Sequence, residues 1–98
     1  MNGDRKAGSA IPDGQLAALM NVIYNVWFGK WKRRAANMTD DEYDSAVMEL
    51  NHIMEQGKEY PIVRNLAITF LYELSARKNG GYTETERDKL LGIIQRWS

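Results

Sequence analysis

The stretch from Pro61 to Lys78 most constrains what this chain can fold into. It carries Ile62, Val63, Leu66, Ala67, Ile68, Phe70, Leu71, Tyr72 and Leu74, with no glycine and only the opening proline. At about 100° per residue, Val63, Leu66, Ala67, Phe70, Leu71 and Leu74 share one broad stripe, the pattern of a core-facing helix. Phe70 lies within that stripe and is expected to be fully buried. Pro61 suits the first helical position, where its missing N–H would have no intrahelical partner. Arg77 and Lys78 meet the negative end of the helix dipole, and Asn79-Gly80-Gly81 then ends the helix. Ile68 and Tyr72 fall on the opposite face, one turn apart, with Arg64 and Ser75 nearby. A helix apolar on both sides needs two sets of neighbours, from its own chain or from a partner.

The other segments read as helices as well. Asp13 is a good N-cap, and the pattern after it predicts a first helix over 14–35. Leu16, Leu19, Met20, Ile23, Tyr24, Trp27 and Trp31 share its face, with Val22 and Val26 on one flank and Phe28 on the other. Gly29 inside this pattern marks close packing or a bend. Thr39 followed by Glu42 is a capping box that opens a second helix over 40–56, with Met38 set to staple onto Tyr43. Its buried stripe is Tyr43, Ala46, Val47, Leu50, Ile53 and Met54, and Gly57 ends it. The central helix covers 61–78. Thr83 with Glu86 repeats the capping box and opens a fourth helix over 84–97, whose apolar side is Leu90, Leu91, Ile93, Ile94 and Trp97. The fold expected is all-α, a small four-helix bundle. Residues 1–12 are too polar and glycine-rich to offset their ordering entropy and read as a disordered tail before a single domain over 13–98.

Composition removes several functions. Lys plus Arg equals Asp plus Glu at 13 each among 98 residues, so no global field draws in nucleic acid or an acidic membrane. Cysteine is absent, which excludes disulfides and thiolate chemistry and fits a reducing, cytoplasmic setting. The longest apolar run, Leu16 to Phe28, is interrupted by Asn21 and Asn25 and is too short to span a bilayer.

Between about Tyr24 and Lys78 the chain resembles small uncharacterised helical proteins of phages and mobile elements of Gram-positive bacteria. The likeness rests on Tyr24, Trp27, Phe28 and Trp31, the acidic opening Thr39-Asp40-Asp41-Glu42-Tyr43-Asp44, the junction Tyr60-Pro61-Ile62-Val63-Arg64, and the ending Tyr72-Glu73-Leu74-Ser75-Ala76-Arg77-Lys78. It implies a phage-borne accessory protein that binds and blocks a host defence component. The group has no catalytic motif to carry over.

Three constellations compete as candidate sites. Glu49, His52 and Glu55 recur every third residue, but a bundle metal site needs a second Glu-x-x-His pair and His52 is the single histidine. No metal, cofactor or catalytic residue is expected, since no base-activated nucleophile or phosphate loop is present. The basic aromatic run Lys30, Trp31, Lys32, Arg33, Arg34 could bind nucleic acid if a tryptophan is exposed to stack on a base. Arg64, Ile68, Tyr72 and Ser75 form the preferred candidate, a protein-binding surface. The expected function is therefore a non-enzymatic protein–protein interaction module that also self-associates, with nucleic-acid binding as the alternative.

Overall fold

Four helices, and no strand, make up the described residues, 6–92, of the computed structural model. Helix α1 covers 13–31, α2 Asp40–Glu55, α3 Pro61–Asn79 and α4 Glu84–Leu90, with a 3-10 turn at Ala35–Asn37. The chain is a small all-α four-helix bundle. Ile93, Ile94 and Trp97, expected in the fourth helix, lie outside the described residues, as do the first five residues of the tail. Residues 6–12 are not helical. There the Ser9 amide donates to the Glu59 carbonyl at 3.2 Å, and Gly8 lies against the ring of Pro61.

The helix starts follow local chemistry. Thr39 Oγ1 accepts from the Glu42 amide at 3.1 Å, and Glu42 Oε1 accepts from the Thr39 amide at 3.0 Å. Thr83 and Glu86 repeat both bonds at 3.1 and 2.9 Å. Each box satisfies two amides that the helix itself cannot. Pro61 opens α3 after an extended Tyr60, the conformation forced on a residue before proline. Gly80, at φ +83°, closes α3, and the next amide, from Gly81, reaches back to the Ala76 carbonyl at 2.7 Å. Only glycine takes that left-handed turn without cost.

Helix α1 departs from its expected course twice. Its middle, Asn21–Phe28, is wound as a π-helix, so the Gly29 amide reaches back five residues to the Tyr24 carbonyl. Wider turns rotate the chain by roughly 80° per residue instead of about 100°. The slower rotation brings two neighbours, Trp27 and Phe28, into the core together and carries Tyr24 and Val26 outward. A regular α-helix would have left Phe28 on a flank and Tyr24 inside. The helix also stops at Trp31, not Ala35. The following 3-10 turn carries Ala35 and Met38 into the core, and that pull ends a helix with no glycine or proline to stop it.

The core joins Trp27, Phe28 and Trp31 of α1 with Ala35 and Met38, Ala46 and Leu50 of α2, and Ala67 and Leu74 of α3. Ala46 and Ala67 stop at Cβ, so the indole and phenyl rings come close to both helix backbones. Leu66, Phe70 and Leu71 are only half-buried, which corrects the expectation for Phe70. Its ring closes the edge of the α1–α3 seam, 5.4 Å from that of Phe28 and 5.9 Å from that of the exposed Tyr24.

Candidate protein-binding surface

The four residues of the preferred candidate do not form one exposed back to the central helix. Ile68, Tyr72 and Ser75 are half-buried and share a hollow of about 340 Å³ with Tyr43, Leu71 and Glu86. They face the start of α2 and the first turn of α4. Arg64 opens onto a different hollow, beside Asn51, Met54, Glu55 and Lys58. The outward face of α3 holds Asn65 and Thr69, whose hydroxyl donates to the Asn65 carbonyl at 2.8 Å. Ile68 and Tyr72 are half-buried flank residues, with Tyr43 at the start of α2 and Glu86 of α4 beside them.

The basic run is broken up by its own surroundings. Trp31 is 6% exposed, with its indole N–H donating to Glu49 Oε1 at 2.7 Å, so it offers no face to a base. Lys30 is bound to the other oxygen of that carboxylate at 2.7 Å, and Arg34 is paired with Glu42. Lys32 lies 5.7 Å from the centroid of the Tyr24 ring. Among the described residues, Lys32 and Arg33 have no carboxylate partner. Tyr24, 47% exposed, takes the outward aromatic position expected of a tryptophan, in a hollow of about 440 Å³ with Asn25, Val26, Gly29, Lys30, Lys32 and Arg33.

Glu49 therefore ties α2 to α1 and does not belong to a plain solvated face. Its carboxyl is held below the ordinary carboxylate range, chiefly by the hydrogen bond from Lys30 and further by that from Trp31, against the opposing effect of burial. One turn earlier the Trp27 indole donates to the Ala46 carbonyl at 2.8 Å. The two indoles thus hang α1 on successive turns of α2. Among the described residues no buried side-chain polar atom lacks a partner, and no group of His, Asp and Glu is placed to hold a metal ion.

A third surface escaped the sequence reading. Val22, Val26, Trp27 and Ile53 line a hollow of about 310 Å³, rimmed by Lys30, Glu49 and His52. Val26 in its wall is 58% exposed, whereas Met48, 65% exposed on α2, lines a separate hollow with Asn51, His52 and Glu55. The signal for this surface was hidden, because the expulsion of Val26 depends on π winding.

A polar latch fastens the end of α3 to the connection that follows. The Tyr82 hydroxyl donates to Glu73 Oε1 at 2.6 Å, and Arg77 Nε donates to Glu73 Oε2 at 3.0 Å while its guanidinium covers the Phe28 ring at 4.9 Å. Burial and the bond to Glu73 push the Tyr82 hydroxyl up to about 12, and the bonds from Tyr82 and Arg77 hold the Glu73 carboxyl low. Stabilisation by Tyr82 is thus fully present below its ordinary value near 10 and lost as pH rises through about 12. That from Glu73 is present above the ordinary carboxylate range and lost as pH falls through its lowered value. Ultraviolet titration of tyrosinate in wild type and Tyr82→Phe should show a difference step near pH 12. In Glu73→Gln the step should move down toward pH 10. An unmoved step would mean that Glu73 does not hold the hydroxyl.

The fold and surfaces define a small helical bundle with two indole-anchored helices and an open apolar hollow between them. Comparison with protein-family models, curated proteins and solved structures finds no match. No described helix is long and apolar enough to cross a membrane.

Proposed function

We propose that this chain is a non-enzymatic protein-binding module that works through the open hollow between α1 and α2. The observation that supports this reading is the exposure of Val26 among apolar walls made by Val22, Trp27 and Ile53. Large apolar side chains that cluster on a surface usually mark a contact site. π-wound segments, rare because their hydrogen-bond geometry is poor, recur at functional sites. Here the winding is what turns Val26 outward. The resemblance to phage and mobile-element proteins adds a setting to the proposal: a cytoplasmic accessory protein that blocks a host defence component and self-associates.

The test is Val26→Glu, which places a carboxylate on the exposed rim without touching the core. Circular dichroism should be unchanged. Light scattering should show loss of any self-association, and proteins retained from a host extract by wild type should be lost. If the variant keeps the same oligomeric state and retains the same proteins, the hollow is not the binding surface, and the half-open flank at Ile68 and Tyr72 takes its place.

A further inference from the structure

Two hollows of opposite character adjoin along α1. The apolar one lies between α1 and α2, the basic one lies over Tyr24, and both are lined by Val26 and Lys30. Lys30 is already neutralised by Glu49 at 2.7 Å, while Lys32 and Arg33 have no carboxylate partner among the described residues. The Lys32 ammonium rests on the Tyr24 ring, a weak hold that a carboxylate would displace. From Val22 to Arg33 the surface runs roughly 15 Å at about 1.5 Å per residue. That length matches about five residues of an extended peptide.

We infer that the two hollows form one docking groove for a short acidic segment of a partner protein, anchored by a bulky apolar side chain. This rests on the protein-binding reading and adds the chemistry of the partner. The apolar anchor fills the space among Val22, Val26 and Ile53. Its acidic neighbours reach Lys32 and Arg33. A symmetric pair of copies with groove on groove would set the same uncompensated cations against each other, so charge complementarity favours this occupant over that pairing. It is favoured over a nucleic-acid strand as well, because Trp31 is buried and two free cations are too few to hold a phosphate backbone.

Panning a library of random dodecapeptides on the intact chain tests the inference. Enriched sequences should carry a Phe, Leu, Ile or Trp beside two or more Asp or Glu. A labelled peptide from that pool should lose detectable binding to Val26→Glu. On Lys32→Glu/Arg33→Glu it should bind about tenfold or more weakly, with wild-type affinity falling as salt rises. The double variant alters only exposed side chains, so it remains informative if Val26→Glu fails to fold. Enriched peptides that are apolar but not acidic, and that still need Val26, would overturn the inference while leaving the protein-binding reading intact. Peptides indifferent to all three positions would overturn both. A labelled oligothymidylate that binds where no acidic peptide does would overturn the inference in favour of nucleic acid.

Discussion

Replacing Trp27 with alanine should lower stability by about 3–5 kcal/mol, the usual range for removing a buried indole. A domain of this size holds only about 5–15 kcal/mol in all, so the variant should stand near the edge of unfolding at room temperature. The size of the effect follows from position. Trp27 is buried at the centre of the aromatic cluster, packed beside Phe28 with ring centroids 6.3 Å apart, and its N–H reaches the Ala46 carbonyl. No neighbour can fill the gap, since Ala46 and Ala67 are too short and Leu50 and Leu74 are already fully packed. Trp27→Phe separates packing from hydrogen bonding. It keeps most of the ring and should lose mainly the indole bond, about 0.5–1.5 kcal/mol, besides a smaller packing loss. Urea denaturation of both variants is the measurement. Equal midpoints for Trp27→Ala and wild type would show that α1 does not seat on α2 as described.

The local signals were legible, and the non-local ones were not. Both capping boxes, the proline at the start of α3 and the glycine at its end lie within a few residues of the groups they satisfy, so sequence spacing reveals them. The Glu49 contacts join residues 18 and 19 apart, and nothing in the local pattern of α2 marks that carboxylate as different from Glu55. An α-helical period assigned Leu19, Ile23, Trp27 and Trp31 to the core correctly. It then failed for Tyr24 and Phe28, because the period itself changes between Asn21 and Phe28. That same change hid the candidate surface. Val26 looks like a flank residue on an α wheel and becomes outward only when the turns widen. Ile68 and Tyr72 were misplaced for a different reason: a helical wheel gives the angle of a side chain but not how far neighbouring helices reach around it.

Gly57→Ala should destabilise the bundle by roughly 1–2 kcal/mol, although glycine-to-alanine changes often stabilise. Two effects oppose each other. Gly57 does not have positive φ, so alanine fits its backbone and should contribute about 0.4–1 kcal/mol by restricting the unfolded chain. Against this, a Cβ added at Gly57 would stand 2.8 Å from Val63 Cγ2 and 3.2 Å from Leu19 Cδ1. Val63 is β-branched and buried, so it cannot swing aside, and relieving the overlap means shifting α3 or the first half of α1 at Leu19. Overpacking of that kind typically costs about 1–3 kcal/mol, which exceeds the entropic gain. The expected result is a thermal midpoint lower by several degrees, since each kcal/mol shifts a domain of this length by about 4–8 °C. Val63→Ala in the same chain removes the clashing methyls. Adding Gly57→Ala to Val63→Ala should then cost less than adding it to wild type, and by as much as the overlap is worth. If Gly57→Ala is as costly with Val63→Ala as without it, the penalty is not steric, and the close approach of the α2–α3 connection to the first turn of α3 would be refuted.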